Sequence, residues 1–210
     1  MRILLFGPAA SGKGTYADML SKDLKVPHIS MGELLRQFAE KSDYGKELKE
    51  RFWGKGLLVP DDITIDILSQ SLGKKGFILE GFPRDLNQAQ LLDRIVKVDH
   101  AVYLKISEDT IIKRISGRLQ CPKCGAVYNK FSNPPKKDSV CDNDGTKLYV
   151  RPDDKDVKAI KERLKIFHES TMPVIEHYKR KGVLREVDGE PEIEIVYKSI
   201  LRIIRPRSRK

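Results

Sequence analysis

Apolar residues along this chain fall into two kinds of run that take turns. Arg2 to Phe6 is short, continuous and rich in branched side chains, and Gly7-Pro8 stops it, so it predicts a buried strand. Similar runs are Gly76 to Glu80, stopped by Gly81-Phe82-Pro83, Ala101 to Ile106, and Val183 to Val187 before Asp188-Gly189. Between them the apolar positions recur at helical spacing. Ala17, Leu20 and Leu24 share a face in a helix opening at Lys13, as do Leu34, Leu35 and Phe38, and then Ile63, Ile67 and Leu68. Ile160, Leu164, Phe167, Thr171 and Ile175 mark one long helix carrying Pro173. Strands alternating with helices predict an α/β fold in three layers, a parallel sheet covered on both sides. No repeat at a fixed period is visible.

From Leu119 to Arg151 the pattern breaks into turn formers, prolines and cysteines, with only short apolar pieces such as Ala126-Val127-Tyr128. This predicts a small inserted domain too poor in apolar residues to bury a core of its own. Cys121-Pro122-Lys123-Cys124 and Cys141-Asp142-Asn143-Asp144 are two equally spaced pairs, a layout that suits a tetrahedral structural zinc site. Three thiolates need a fourth ligand, and no histidine lies in the segment. A carboxylate is left: Asp144 mirrors the first pair, Asp142 and Asp138 are the alternatives, and free thiols in a segment without metal are the competing reading. Metal coordination would then supply the folding energy of the segment.

The run Gly7-Pro8-Ala9-Ala10-Ser11-Gly12-Lys13-Gly14-Thr15 follows a predicted strand and opens a predicted helix, which makes it a candidate phosphate loop. Backbone amides of Ala10, Ser11, Gly12, Lys13, Gly14 and Thr15 would face phosphate oxygens, aided by the helix N-terminus, while Lys13 reaches the terminal phosphates. Ala10 stands where a third glycine is common, so its φ is expected to stay negative.

A net charge of +10 raises the possibility of nucleic acid as a partner. Half of that excess comes from Arg202, Arg205, Arg207, Arg209 and Lys210, which are expected to form a solvated tail, so nucleic acid is not the expected partner. No run is long enough to span a bilayer and the N-terminus lacks the pattern of a signal peptide. With a Cys-x-x-Cys that suits a reducing compartment, this predicts a cytoplasmic protein.

Beyond the loop, further segments resemble the adenylate kinase family over nearly the whole chain. Met31-Gly32-Glu33-Leu34-Leu35-Arg36 is similar to the family's Thr-Gly-Asp-x-Leu-Arg, and Gly56-Leu57-Leu58-Val59-Pro60-Asp61 to the edge of its acceptor domain. Glu80-Gly81-Phe82-Pro83-Arg84 followed by Gln88 resembles Asp-Gly-Phe-Pro-Arg-x-x-x-Gln; Arg114 to Arg118, Asn133-Pro134-Pro135, Arg151 to Asp154 and Arg163 continue in the family's order. Two departures stand out: Met31 replaces a threonine near the acceptor base, and the spacing from Asp154 to Arg163 is one residue longer.

The resemblance implies reversible transfer of a phosphoryl group from ATP to AMP, giving two ADP, with Mg²⁺ bridging the donor phosphates near Thr15 and Glu80. It implies a core of residues 1–30, 60–118 and 155–210, a segment binding the monophosphate over 31–59, a lid with zinc over 119–154, and a monomer. Catalysis would fall to Lys13, Arg84, Arg118, Arg151 and Arg163. ATP would contact residues 10 to 15, Arg114, Arg118, Val127, Tyr128 and Pro191. AMP would contact Met31, Arg36, Leu57, Leu58, Val59, Gly81, Phe82, Arg84, Gln88, Arg151 and Arg163. The physical need is general, since two nucleotide tails bring many negative charges together and guanidinium forks neutralise them best. Met31 keeps a UMP, CMP or other monophosphate kinase open, and the basic tail keeps open a nucleic-acid binder with zinc on a nucleotide fold.

Overall fold

The computed structural model describes residues 1–55, 57–73, 75–154 and 157–205. Of the residues singled out above, Gly56, Lys155, Arg207, Arg209 and Lys210 lie outside that range. Five strands form a parallel sheet among the described residues: β1 (Arg2–Phe6), β2 (His28–Ser30), β3 (Phe77–Glu80), β4 (His100–Lys105) and, numbered in chain order after a separate pair, β7 (Leu184–Asp188). Their order is β2-β3-β1-β4-β7, which puts β1 in the middle. Its alternate residues feed two cores. Leu4 and Phe6 pack with Phe77, Leu79 and Tyr178 on one face, and Ile3 and Leu5 with Tyr16, Leu20 and Ile200 on the other. A strand covered on both faces needs no polar alternation, which is why β1 is legible as a continuous apolar run.

The helices are α1 (Lys13–Leu24), α2 (Met31–Lys41), α3 (Asp43–Arg51), α4 (Asp61–Ser69), α5 (Leu86–Ile95), α6 (Glu108–Ser116), α7 (Val157–Ile166), α8 (Met172–Arg180) and α9 (Ile193–Ile204). The long helix expected through Pro173 is instead α7, a π-helical turn over Phe167–Thr171, and α8. Proline lacks an N–H and crowds the carbonyl four residues back, and the wider turn accommodates it. Thr171 Oγ1 in this turn donates to the Arg84 carbonyl at 2.9 Å, which ties the turn to the loop after β3.

Two expectations are corrected here. Arg202 is exposed but belongs to a helix and not to a tail: α9 continues to Ile204, with Val196, Ile200 and Ile204 buried in the core, and Arg205 donates to the Asp23 carbonyl at 3.2 Å. The helical spacing of those three apolar residues outweighs the charges between them. The inserted segment also does bury a small core. Its strands β5 (Arg118–Gln120) and β6 (Val127–Asn129) pair antiparallel, and Leu119, Cys121, Tyr128, Cys141 and Leu148 cluster beneath them. Two of those five are the cysteines themselves, so the core and the thiol cluster coincide. Among the described residues, no helix is long and apolar enough to cross a membrane.

Candidate active site

The carboxyl ends of β1, β3 and β4 lie side by side, and in an open parallel sheet that edge is where ligands bind. From β1 the chain enters the Gly-rich loop and then α1. Gly12 has φ 91°, and a β-carbon there would lie 2.9 Å from the Tyr16 ring, so the turn needs a glycine. Ala10 departs from its expected conformation: its φ is +57°, in the left-handed region. The loop must reverse at that point to aim successive amides into one hollow, and this overrides the preference of a residue with a β-carbon. Ala10→Gly is therefore expected to stabilise the protein by about 0.5–1 kcal/mol, the relief of left-handed strain less the added chain entropy. An unchanged or lower urea midpoint would contradict this.

A cleft of about 700 Å³ opens over this loop. Ala10, Ser11, Gly12, Lys13, Gly14 and Thr15 line it, as do Arg114, Arg118, Val127, Tyr128 and Pro191, so every residue expected around the donor nucleotide meets in one cavity. Arg36, Gly81, Arg84, Arg151 and Arg163 line the same cavity. The remaining acceptor candidates are arranged differently. Met31 is buried at the start of α2, Val59 is buried, Leu58 is half-buried and Leu57 is exposed, all outside the lining, and Phe82 faces a small adjoining cavity of about 100 Å³.

Gln88 is buried, and its amide is already engaged: Oε1 accepts from the Arg84 N–H at 2.8 Å and Nε2 donates to Asp61 Oδ1 at 2.8 Å. An incoming base would have to share or displace those bonds.

The basic groups converge. Lys13 Nζ donates to the carbonyls of Gly7 and Pro8 at 2.8 and 2.7 Å, folding over its own loop. Burial lowers its pKa from the ordinary 10.5 to about 8, opposed by the Glu80 carboxylate and assisted by the like charges of Arg84, Arg163 and Arg118. Burial likewise lowers the pKa of Arg84, with Glu80 opposing and Arg151 and Arg36 adding to the effect. Arg36 bonds Glu33 at 2.8 and 3.0 Å, Arg84 Nε bonds the Gly81 carbonyl at 2.9 Å, and Arg114 bonds the Gly189 carbonyl at 2.8 Å. These bonds fix each guanidinium group at the wall of the cavity.

Sequence reasoning missed Asp154 as a bridge. Its buried carboxylate takes both forks of Arg118, with Nε at 2.6 Å, and also Arg163 Nη1 at 3.3 Å. The Arg-Pro-Asp-Asp motif held the residue, but which guanidinium groups it would join depends on three segments meeting in space.

In the inserted segment the ligand atoms of Cys121, Cys124, Cys141 and Asp144 all lie within 4.8 Å of one another. Cys124 and Cys141 sulfurs are 3.5 Å apart, and Cys121 Sγ is 3.5 Å from Asp144 Oδ2. Ligands of a tetrahedral ion with metal–sulfur bonds of about 2.3 Å stand about 3.8 Å apart, so the set fits. Backbone N–H groups of Lys123 and Cys124 point at Cys121 Sγ at 3.4 and 3.5 Å, as a thiolate requires. Asp142 is turned away, accepting from the Lys136 N–H at 2.9 Å, which favours Asp144 over that alternative. For Mg²⁺ the donor chemistry also fits, since Thr15 and Glu80 offer hard oxygen atoms at the cleft and the ion keeps most of its waters.

The family model for adenylate kinase matches residues 5–183. The chain is 42% identical to the adenylate kinase of Methanocella arvoryzae, covering 98% of this chain and 99% of that one. It is 41% identical to the adenylate kinases of Caldicellulosiruptor bescii and Archaeoglobus fulgidus, covering 97% of this chain and 99% and 98% of theirs. A Gly-rich loop and a ring of guanidinium groups around one cleft, in a chain matched over nearly all of its length, lead to one conclusion: the chain belongs to the adenylate kinase family.

Proposed function

We propose that the cleft catalyses reversible transfer of the terminal phosphoryl group of ATP to AMP, giving two ADP. What carries this reading is the meeting of the loop with Arg36, Arg84, Arg118, Arg151 and Arg163 around one cavity of about 700 Å³, because a single nucleotide tail would not require so many cations. An oxygen of the AMP phosphate attacks the γ-phosphorus, the bond from that phosphorus to the β,γ-bridging oxygen breaks, and the β-phosphate leaves on the newly formed ADP. The attacking phosphate, with a second pKa near 6, is already ionised at neutral pH, so no side chain must remove a proton.

Lys13 and the loop amides hold the donor phosphates. Arg36 and Arg84 hold the acceptor phosphate, and Arg118, Arg151 and Arg163 neutralise the charge on the transferring group. Arg114, Val127, Tyr128 and Pro191 surround the donor base; Met31, Leu57, Leu58, Val59, Gly81, Phe82 and Gln88 surround the acceptor. Bound Mg²⁺, held near Thr15 and Glu80, would screen the donor phosphates.

In this reading residues 31–59 close over the acceptor and residues 119–154 form a lid over the donor, both moving against the core of 1–30, 60–118 and 155–210. Closure excludes the water that would otherwise hydrolyse ATP. Cys121, Cys124, Cys141 and Asp144 would hold a zinc ion that supplies the cohesion of the lid. Thiols reserved for a metal fit a reducing cytoplasm.

The acceptor base is the open specificity, because Met31 cannot donate a hydrogen bond and the Gln88 amide is engaged. AMP is expected to exceed UMP, CMP and GMP by more than tenfold in kcat/KM when each is offered with ATP and Mg²⁺. A preference for another monophosphate would replace this acceptor assignment, and no phosphorylation of any of them would remove the proposed activity.

A further inference from the structure

Glu80 ends β3 directly beside the phosphate loop, and a β-carbon on Gly14 would lie 3.8 Å from its Oε1. It is the opposite charge that acts most on both Lys13 and Arg84. Left to electrostatics alone, a carboxylate so placed would pair with Lys13 and neutralise the cation that the loop presents to phosphate. That pairing is absent among the described bonds. Lys13 Nζ bonds loop carbonyls and Ser11 Oγ, while Glu80 Oε1 accepts from Ser30 Oγ at 2.7 Å.

Behind Ser30 stands His28, also on β2. Its Nδ1 is 2.7 Å from Asp18 Oδ1 on α1, and since a carboxylate only accepts, Nδ1 carries the hydrogen. Its Nε2 is buried and has no hydrogen-bond partner among the described residues, and the nearest charge facing it is Glu80 Oε1 at 4.0 Å. A buried polar atom left in this way costs about 1–3 kcal/mol and calls for a reason.

We propose that Ser30 and His28, with Asp18 holding the ring, form a tether that draws the Glu80 carboxylate back from Lys13 and so keeps the phosphate loop cationic and open to ATP. They are positioning residues that act through Glu80. A glutamate reaches one methylene further than an aspartate would, and that reach is what makes a tether necessary. The proposal rests on the reading that this loop takes ATP, and the test separates the two.

The measurement is calorimetric binding of ATP to the whole chain without added Mg²⁺, so that the readout concerns the loop and not turnover. The double variant Ser30→Ala, His28→Ala is expected to bind ATP about tenfold more weakly, and His28→Ala alone about threefold more weakly. His28→Gln, which keeps an N–H donor, is expected to recover most of the latter loss. In a Glu80→Gln background, where no carboxylate can capture Lys13, the double variant is expected to change ATP binding less than twofold. An equal loss in both backgrounds would mean that Ser30 and His28 act only on the fold, and no loss in either would mean that Glu80 needs no tether; both results overturn the proposal. Failure of the wild-type chain to bind ATP would instead overturn the underlying functional reading.

Discussion

Lys13→Ala is expected to lower kcat/KM for ATP by about 10³-fold, roughly 4 kcal/mol of transition-state stabilisation, while the sheet and its helices stay folded. The size of the effect follows from position. Lys13 is the loop's single side-chain cation, it lies in a cavity with Arg84, Arg118 and Arg163, and no other described residue could take its place at the helix start. Turnover within tenfold of wild type would show that the loop amides and arginines suffice without it.

The same substitution has a signature in stability that runs with pH. Burial holds the pKa of Lys13 at about 8, against an ordinary 10.5 in the unfolded chain, so below pH 8 the folded protein carries an ammonium group at a cost. Between pH 8 and 10.5 the folded form has released that proton and the unfolded form has not. Wild-type stability therefore rises through this window relative to the variant, and any advantage of Lys13→Ala in melting temperature at pH 7 shrinks by pH 10. Because the group lies at the floor of an open cleft and keeps partial exposure, water damps the effect. A difference in melting temperature that grows toward pH 10 would contradict this sign.

Removal of metal is expected to unfold the inserted segment and leave the parallel sheet intact. Outside the cysteines, its core consists of Leu119, Tyr128 and Leu148, with Ala126 and Val150 packed against it. Burial of a large apolar side chain contributes about 1.5–3 kcal/mol, whereas fixing the backbone costs about 1–2 kcal/mol for each residue ordered. Three such side chains cannot order a segment of about thirty residues. A structural zinc ion contributes on the order of 10 kcal/mol, at least as much as those three side chains together, so its loss removes the largest single contribution to the segment.

Hydrogen exchange locates the loss. The reciprocal amides of Gln120 and Tyr149, each bonded to the other's carbonyl at 2.9 Å, should lose protection by orders of magnitude after chelation or in Cys141→Ser. The amides of β1 should keep theirs. Retained protection at Gln120 and Tyr149 would mean that side-chain packing alone holds this segment. With the inserted segment melted, Arg118 loses its fixed approach to Asp154, so phosphoryl transfer is expected to fall along with protection.

What could be read without coordinates was what depends on neighbours in the chain. A strand buried on both faces, a turn that needs glycine and a helix that begins with lysine form one local unit, and its chemistry follows from backbone amides that lie within a few residues of each other. The paired cysteines and the carboxylate that mirrors them are local in the same sense. β2 escaped notice because three residues, His28–Ser30, carry no periodicity, and it is recognisable as a strand only by its pairing with β3. α9 escaped although Val196, Ile200 and Ile204 recur at helical spacing, because the basic residues at its end drew the reading toward a tail.

The sequence by itself determined the phosphate loop, the set of arginines and the thiol cluster, because residue type and spacing already dictate which ligand such groups can hold. Tertiary structure alone decided how those groups stand toward one another. It turned Ala10 into the left-handed region, spent the Gln88 amide on Arg84 and Asp61, joined Arg118 and Arg163 through Asp154, and drew Glu80 toward Ser30 and His28. Each of those outcomes is a competition between partners far apart in the chain, and only packing brings the competitors within hydrogen-bonding distance.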